Sequence, residues 1–168
     1  MKKILIALAV LFIINIGCKK SGVGGGLCAC SFAPEPGLSL TIRNSTGADL
    51  LNSATTGYFN KDQIKLYTKD ANNVIKQISF SIGQPFTYTS DVKLAYYQIR
   101  SYEIVLLSKS IDNTFYLKLN DDKIYELNLK VNGRLVEKLL INKIETTKEF
   151  PNLTLNDPFL LNMYALKL

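Results

Sequence analysis

From Leu38 onward, apolar side chains recur at every second position in one segment after another, a period that suits strands with one buried face and no helix. Leu38, Leu40 and Ile42 alternate with Ser39, Thr41 and Arg43. Ile64 and Leu66 repeat the pattern, as do Ile78, Phe80 and Ile82 around Ser79 and Ser81. Phe115, Leu117 and Leu119 flank Tyr116 and Lys118; Tyr125, Leu127, Leu129 and Val131 flank Glu126, Asn128 and Lys130. Asn132-Gly133 then supplies the pair that a type I′ hairpin turn prefers, since both positions must tolerate positive φ. Leu135 to Ile144 reads as the returning strand, although Leu139-Leu140-Ile141 breaks the alternation and admits either a bulge or a helix. The Ile-Val-Leu-Leu run within Tyr102–Ser108 reads as a strand buried on both faces, and Phe159–Leu168 as a closing edge strand. Turns such as Asn44-Ser45-Thr46-Gly47, Lys69 to Asn73 and Gly83-Gln84-Pro85 punctuate the strands. The expected fold is all-β: one antiparallel β-sandwich of about seven to nine strands over residues 37–168, with a small barrel as the runner-up.

Composition narrows the chemistry. The chain of 168 residues has no histidine and no tryptophan. Without histidine there is no His general base, no Ser-His-Asp triad and no His-ligated zinc. Carboxylate catalysis needs two acids facing across a cleft, and the 14 Asp and Glu residues fall mostly in turns or on polar strand faces. Asp49 is best explained as a turn residue bonding nearby backbone. Asp112, Asp121 and Asp122 could meet around calcium only if their loops are neighbours, and no Asp-x-Asp-x-Asp-Gly loop exists. No catalytic residue, metal site or cofactor is expected.

The N-terminus carries an address. Met1-Lys2-Lys3 is a short basic region, and Ile4–Ile14 is an unbroken apolar run too short to span a bilayer alone. Asn15-Ile16-Gly17-Cys18 closes it, a small residue directly before a cysteine. Residues 1–17 read as a signal peptide, and its end resembles the lipobox of bacterial lipoproteins, which implies that Cys18 is the lipidated first residue of the mature chain. Residues 18–36 form a Gly- and Pro-rich tether. Within it, Cys28-Ala29-Cys30 could close a small disulfide, bind a soft metal or pair with another chain; a tetrahedral zinc site would need two further ligands. Losing Lys2 and Lys3 with the signal lowers the formal charge of +6 by two, and the other lysines are scattered with no run of five. A nucleic-acid partner is not expected.

This start resembles the lipobox of bacterial lipoproteins, with Asn15 standing where an aliphatic residue is usual. The domain after it resembles a group of small lipoproteins of the Bacteroidota with no assigned function. The shared pieces are Gly47-Ala48-Asp49-Leu50-Leu51-Asn52, the strand Gln63-Ile64-Lys65-Leu66-Tyr67, the strand start Asp112-Asn113-Thr114 and the late Asn132-Gly133 turn. The resemblance implies an extracytoplasmic β-sandwich and brings no catalytic residues with it. Among nine tyrosines, Tyr88, Tyr96, Tyr97 and Tyr102 gather between strands; Tyr96, Tyr97 and Tyr102 are the candidate contacts for a protein or glycan partner. The expected function is a lipid-anchored, non-catalytic binding or assembly module of the outer membrane, facing the periplasm or the cell surface. The alternative is a structural subunit of an envelope or fimbrial assembly built by strand addition.

Overall fold

The computed structural model describes residues 36–168 apart from Thr154. Cys18, Cys28 and Cys30, with the expected signal peptide and almost all of the expected tether, lie outside the described residues. Among the described residues, twelve strands, two short α-helices and one 3-10 turn follow in the order β1 (Leu38–Arg43), the 3-10 turn (Lys61–Gln63), β2 (Ile64–Lys69), β3 (Ile75–Gln77), β4 (Ser81–Gly83), β5 (Phe86–Thr87), β6 (Lys93–Leu94), β7 (Gln98–Ser101), α1 (Glu103–Leu107), β8 (Thr114–Leu119), β9 (Lys123–Asn132), β10 (Leu135–Ile141), β11 (Ile144–Glu145), α2 (Pro158–Leu161) and β12 (Met163–Lys167). The fold is all-β. A four-stranded sheet runs β12-β1-β7-β4, a six-stranded sheet β11-β10-β9-β8-β2-β3, and β5 and β6 form a separate hairpin. The strand count exceeds the expected range because several pieces are only two or three residues long, below what periodicity can register.

Alternation decides the core. Leu40 and Ile42 of β1 and Tyr164 and Leu166 of β12 join Leu66, Phe115, Leu117, Leu127, Leu129 and Leu139 of the six-stranded sheet in one buried cluster. Each such side chain contributes ~1.5–3 kcal/mol when removed from water. A smaller cluster of Leu94, Phe159, Leu160 and Met163 involves β6, α2 and β12. Ser39 and Thr41 of β1 are consequently buried as well, so a strand written as half-polar has both faces covered. The chain also changes sheet at both edges. On one side β3 belongs to the larger sheet and β4 to the smaller. On the other, Thr146 N–H donates to Leu139 O at 2.9 Å, and Ala165 N–H donates to Thr147 O at 3.1 Å. Such switching strands make the corners of packed sheets.

Several local expectations need correction, and one open alternative is decided. Ile78–Ile82 is not one strand: β3 ends at Gln77, residues 78–80 are irregular as the chain passes from the larger sheet to the smaller, and β4 runs Ser81–Gly83. Tyr102–Ser108 is not a strand: Glu103–Leu107 forms α1, with Ile104 and Val105 buried and Leu106 exposed. A four-residue apolar run has too few positions to separate the two periods. Of the two alternatives for Leu139–Ile141 the bulge holds: the segment is strand, with a register shift between Val136 and Lys138 in the pairing with β9. The returning strand stops at Ile141, short of the expected Ile144, because the chain turns at Asn142-Lys143. Phe159–Leu168 begins as α2, started by Asp157 accepting from Phe159 N–H at 2.8 Å with Pro158 in the first turn, before β12 pairs with β1 in parallel. Finally, Asn132 pairs with Leu135, so the hairpin loop is Gly133-Arg134, with positive φ at Gly133 and not at Arg134. The turn with positive φ at both residues is Asn142-Lys143, between β10 and β11.

Gly37 marks the tightest approach of backbone to backbone. A Cβ there would sit 2.6 Å from the Ser101 carbonyl oxygen, where β7 ends beside the start of β1. Backbone cannot swing aside as a side chain can. Gly37→Ala should lose about 1–3 kcal/mol, read as a lower urea midpoint at unchanged slope.

Candidate functional site

Where β1 ends, Arg43 turns its guanidinium toward Glu149, on the segment that crosses from β11 to α2. Nη2 donates to Glu149 Oε2 at 2.6 Å, and the two side chains are 16% and 7% exposed. Both are fixed by backbone: Leu168 N–H donates to Arg43 O at 2.8 Å, and Glu149 N–H to Met163 O at 2.8 Å. The guanidinium also lies 4.4 Å from the centroid of the Tyr96 ring, an arrangement that favours the cation. Arg43 Nε is buried and has no hydrogen-bond partner among the described residues. Burial raises the Glu149 carboxyl above its ordinary range, against the opposing pull of Arg43 and, more weakly, of Lys167 and Thr41.

Beside this pair opens a groove of about 630 Å³, lined by Tyr125, Ile141, Ile144, Lys148, Leu166 and Lys167 together with the pair itself and neighbouring residues. Glu145, the other acid in its lining, accepts from Lys138 Nζ at 2.8 Å. Lys148 Nζ stands 5.8 Å from the Tyr164 ring centroid. Burial raises the Tyr125 hydroxyl, so it is held as the neutral phenol. Burial and then Glu145 raise the Tyr164 hydroxyl, which donates to Val136 O at 2.8 Å.

The tyrosines do not form one patch. Tyr96 packs against the smaller cluster and Tyr97, its neighbour in sequence, against the main core. The Tyr97 N–H donates to Asp49 Oδ2 at 2.7 Å, while Asp49 Oδ1 accepts from Leu51 N–H at 2.9 Å. Asp49 thus makes the expected turn bond and also ties its loop to a segment far away in sequence. Tyr102 is half-buried before α1, its carbonyl accepting from Val105 N–H at 3.1 Å. Tyr88 donates its hydroxyl to Asp157 and stacks on Phe159, their centroids 6.4 Å apart; that bond raises its pKa first, ahead of desolvation. Of the three candidate contacts, Tyr96 alone touches the Arg43–Glu149 pair.

Sequence reading passed over Arg43 and Glu149. Arg43 fills a polar slot in an alternating strand, and Glu149 sits in a loop 106 positions away. No spacing rule joins them. Among the described residues, no cluster of three Cys, Asp or Glu side chains could hold a metal, and no helix is long and apolar enough to cross a membrane. The chain matches no protein-family model, no curated protein and no solved structure.

Glu149 gives a pH dependence of definite sign. Its folded-state pKa lies above the reference value of 4.5, so the folded chain keeps this proton over a window that starts near 4.5 and extends upward. Across that window the folded state binds more protons than the unfolded one, and stability falls as pH rises. The group's contribution is fully present below the unfolded pKa and lost as pH passes the folded one. Glu149→Gln removes the term. Denaturant titrations from about pH 4 to about pH 7 should therefore show wild type losing stability relative to the variant. A constant difference across the range would refute the assignment.

Proposed function

We propose that this protein is a lipid-anchored, non-catalytic binding module that works outside the cytoplasm, with the groove beside Arg43 and Glu149 as its binding surface. The observation that carries the reading is the state of the two acids in that groove. Each is held by a cation, Glu149 by Arg43 and Glu145 by Lys138. An acid–base pair for hydrolysis needs one carboxylate protonated and another free to accept a proton or attack. Here Glu149, although burial raises its carboxyl, is committed to Arg43, and Glu145 is engaged by Lys138, so neither stands free to accept a proton or attack; the groove offers an apolar wall rimmed by positive charge.

The anchor follows from the Lys2-Lys3 start, the apolar run and Gly17-Cys18. Acyl chains on Cys18 would hold the protein at the outer membrane, since each buried methylene contributes about 0.8 kcal/mol. Residues 18–36 would give the β domain reach, toward either the periplasm or the exterior. Protease shaving of intact cells, with a periplasmic protein as lysis control, separates those two placements. The anchor itself is tested by growing cells with a radiolabelled fatty acid: label should enter the wild-type chain, and Cys18→Ala should abolish it and leave the protein unprocessed. Label in that variant would sink the anchor.

A second reading has one observation in its favour. Val74 and Ile75, at the open outer edge of the six-stranded sheet, are 61% and 54% exposed. An apolar edge accepts a strand from a neighbouring chain, the geometry of a structural subunit in an envelope or fimbrial assembly. That reading requires SDS-resistant multimers that Ile75→Lys dissolves, whereas a binding module stays monomeric in both forms.

A further inference from the structure

We infer that the groove takes an apolar chain ending in a carboxylate, the anion on Lys148 and Lys167 and the chain against Tyr125, Ile141 and Leu166. The inference rests on the binding-module reading and names the ligand class of the same site. The groove's volume of about 630 Å³ falls within the ~300–1,000 Å³ usual for small-molecule sites.

Its inner wall is the interior itself. Ile141 and Leu166 belong to the main buried cluster, and Tyr125 packs against that cluster. A chain entering here meets core side chains. At the lip stands Ile144, 73% exposed on the two-residue strand β11, an apolar surface with nothing over it among the described residues. Burying such side chains under a ligand recovers the free energy that their exposure to water forgoes.

Charge selects the head group. Among the described residues, Lys148 and Lys167 line the groove without an ion pair, whereas Arg43 is neutralised by Glu149 and Glu145 by Lys138. Two ammonium groups outside any ion pair, at the mouth of an apolar groove, complement an anionic amphiphile and repel a cationic one. A peptide strand is disfavoured, because β11 is only two residues long and the outer side of β12 is already bonded by the 147–149 segment.

The test is photolabelling of the full chain, purified in a nonionic detergent, with decanoate bearing a diazirine on its terminal carbon. Saturable adducts are expected on Tyr125, Ile141 or Leu166. Unlabelled decanoate should compete at least about tenfold better than 1-decanol, the difference being the charge-assisted contact. Lys148→Gln combined with Lys167→Gln should erase that preference and leave competition by the alcohol unchanged. Thr147→Trp, which fills the groove at an exposed side chain and keeps the backbone bond to β12, should remove the adducts; circular dichroism checks that it folds. Equal competition by acid and alcohol, with groove adducts intact, would overturn the anionic head group while leaving the binding groove standing. Adducts scattered over other surfaces, or adducts undiminished by Thr147→Trp, would overturn the site.

Discussion

Arg43→Met should lower the free energy of unfolding by about 3–5 kcal/mol, a large share of what a domain of this size holds in reserve. The magnitude follows from burial. A surface ion pair is worth ~0–1 kcal/mol, but with Arg43 and Glu149 only 16% and 7% exposed, removing one partner strands a charge out of water. The loss should be asymmetric. Burial already raises the Glu149 carboxyl with Arg43 in place, so the ionised acid is the costly member, and Glu149→Gln should lose far less than Arg43→Met. Lowering the pH should restore part of the Arg43→Met deficit, because protonation removes the stranded charge. The double variant Arg43→Met with Glu149→Leu should recover most of it, as apolar replacements of buried pairs do. Urea denaturation at two pH values decides the matter: a deficit independent of pH and not relieved by the second substitution would mean that Arg43 acts through packing on Tyr96 instead.

Asn162→Ala should cost about 2–3 kcal/mol, with no ligand or ion involved. Asn162 is 0% exposed and sits between α2 and β12. Its Oδ1 accepts from Val136 N–H at 2.7 Å, its Nδ2 donates to Arg134 O at 2.8 Å, and its own carbonyl accepts from Ser39 N–H at 3.0 Å. One amide thus fastens the start of β10 in the six-stranded sheet to the junction of β1 and β12 in the four-stranded one. Alanine keeps the backbone bond and orphans the other two groups, of which Val136 N–H is fully buried. Hydrogen exchange gives the local readout: the Val136 amide should lose protection beyond the global change. An unchanged Val136 amide, alongside a loss under 1 kcal/mol, would show that water replaces the side chain at no cost.

How much of this was legible beforehand varies by element. Strands β1, β2, β8 and β9 are visible because each has enough residues to display the two-residue period with one face in the core. The Gly47–Asn52 loop is legible through Asp49, whose bond to Leu51 is local. Its second bond, to Tyr97, depends on a contact 48 positions away and carries no sequence signal. The α1 helix and the two-residue strands fail for want of length. The hairpin turn was displaced by one residue because Asn-Gly states a preference for positive φ, whereas register is fixed by which side chains of β9 and β10 reach the core.

The candidate site was less legible still. Tyrosines at 96, 97 and 102 look like a cluster on paper, yet neighbours in an extended segment point to opposite sides, and Tyr96 and Tyr97 end in different apolar clusters. Arg43 and Glu149 look like ordinary surface residues and are buried together. The sequence by itself determined the all-β class and the longer strands, because those depend on a period written within a few residues. Tertiary structure alone decided which polar groups became buried partners and where the groove opened. Those outcomes depend on pairings such as β1 with β12, made across more than a hundred residues by the need to bury two sheet faces at once.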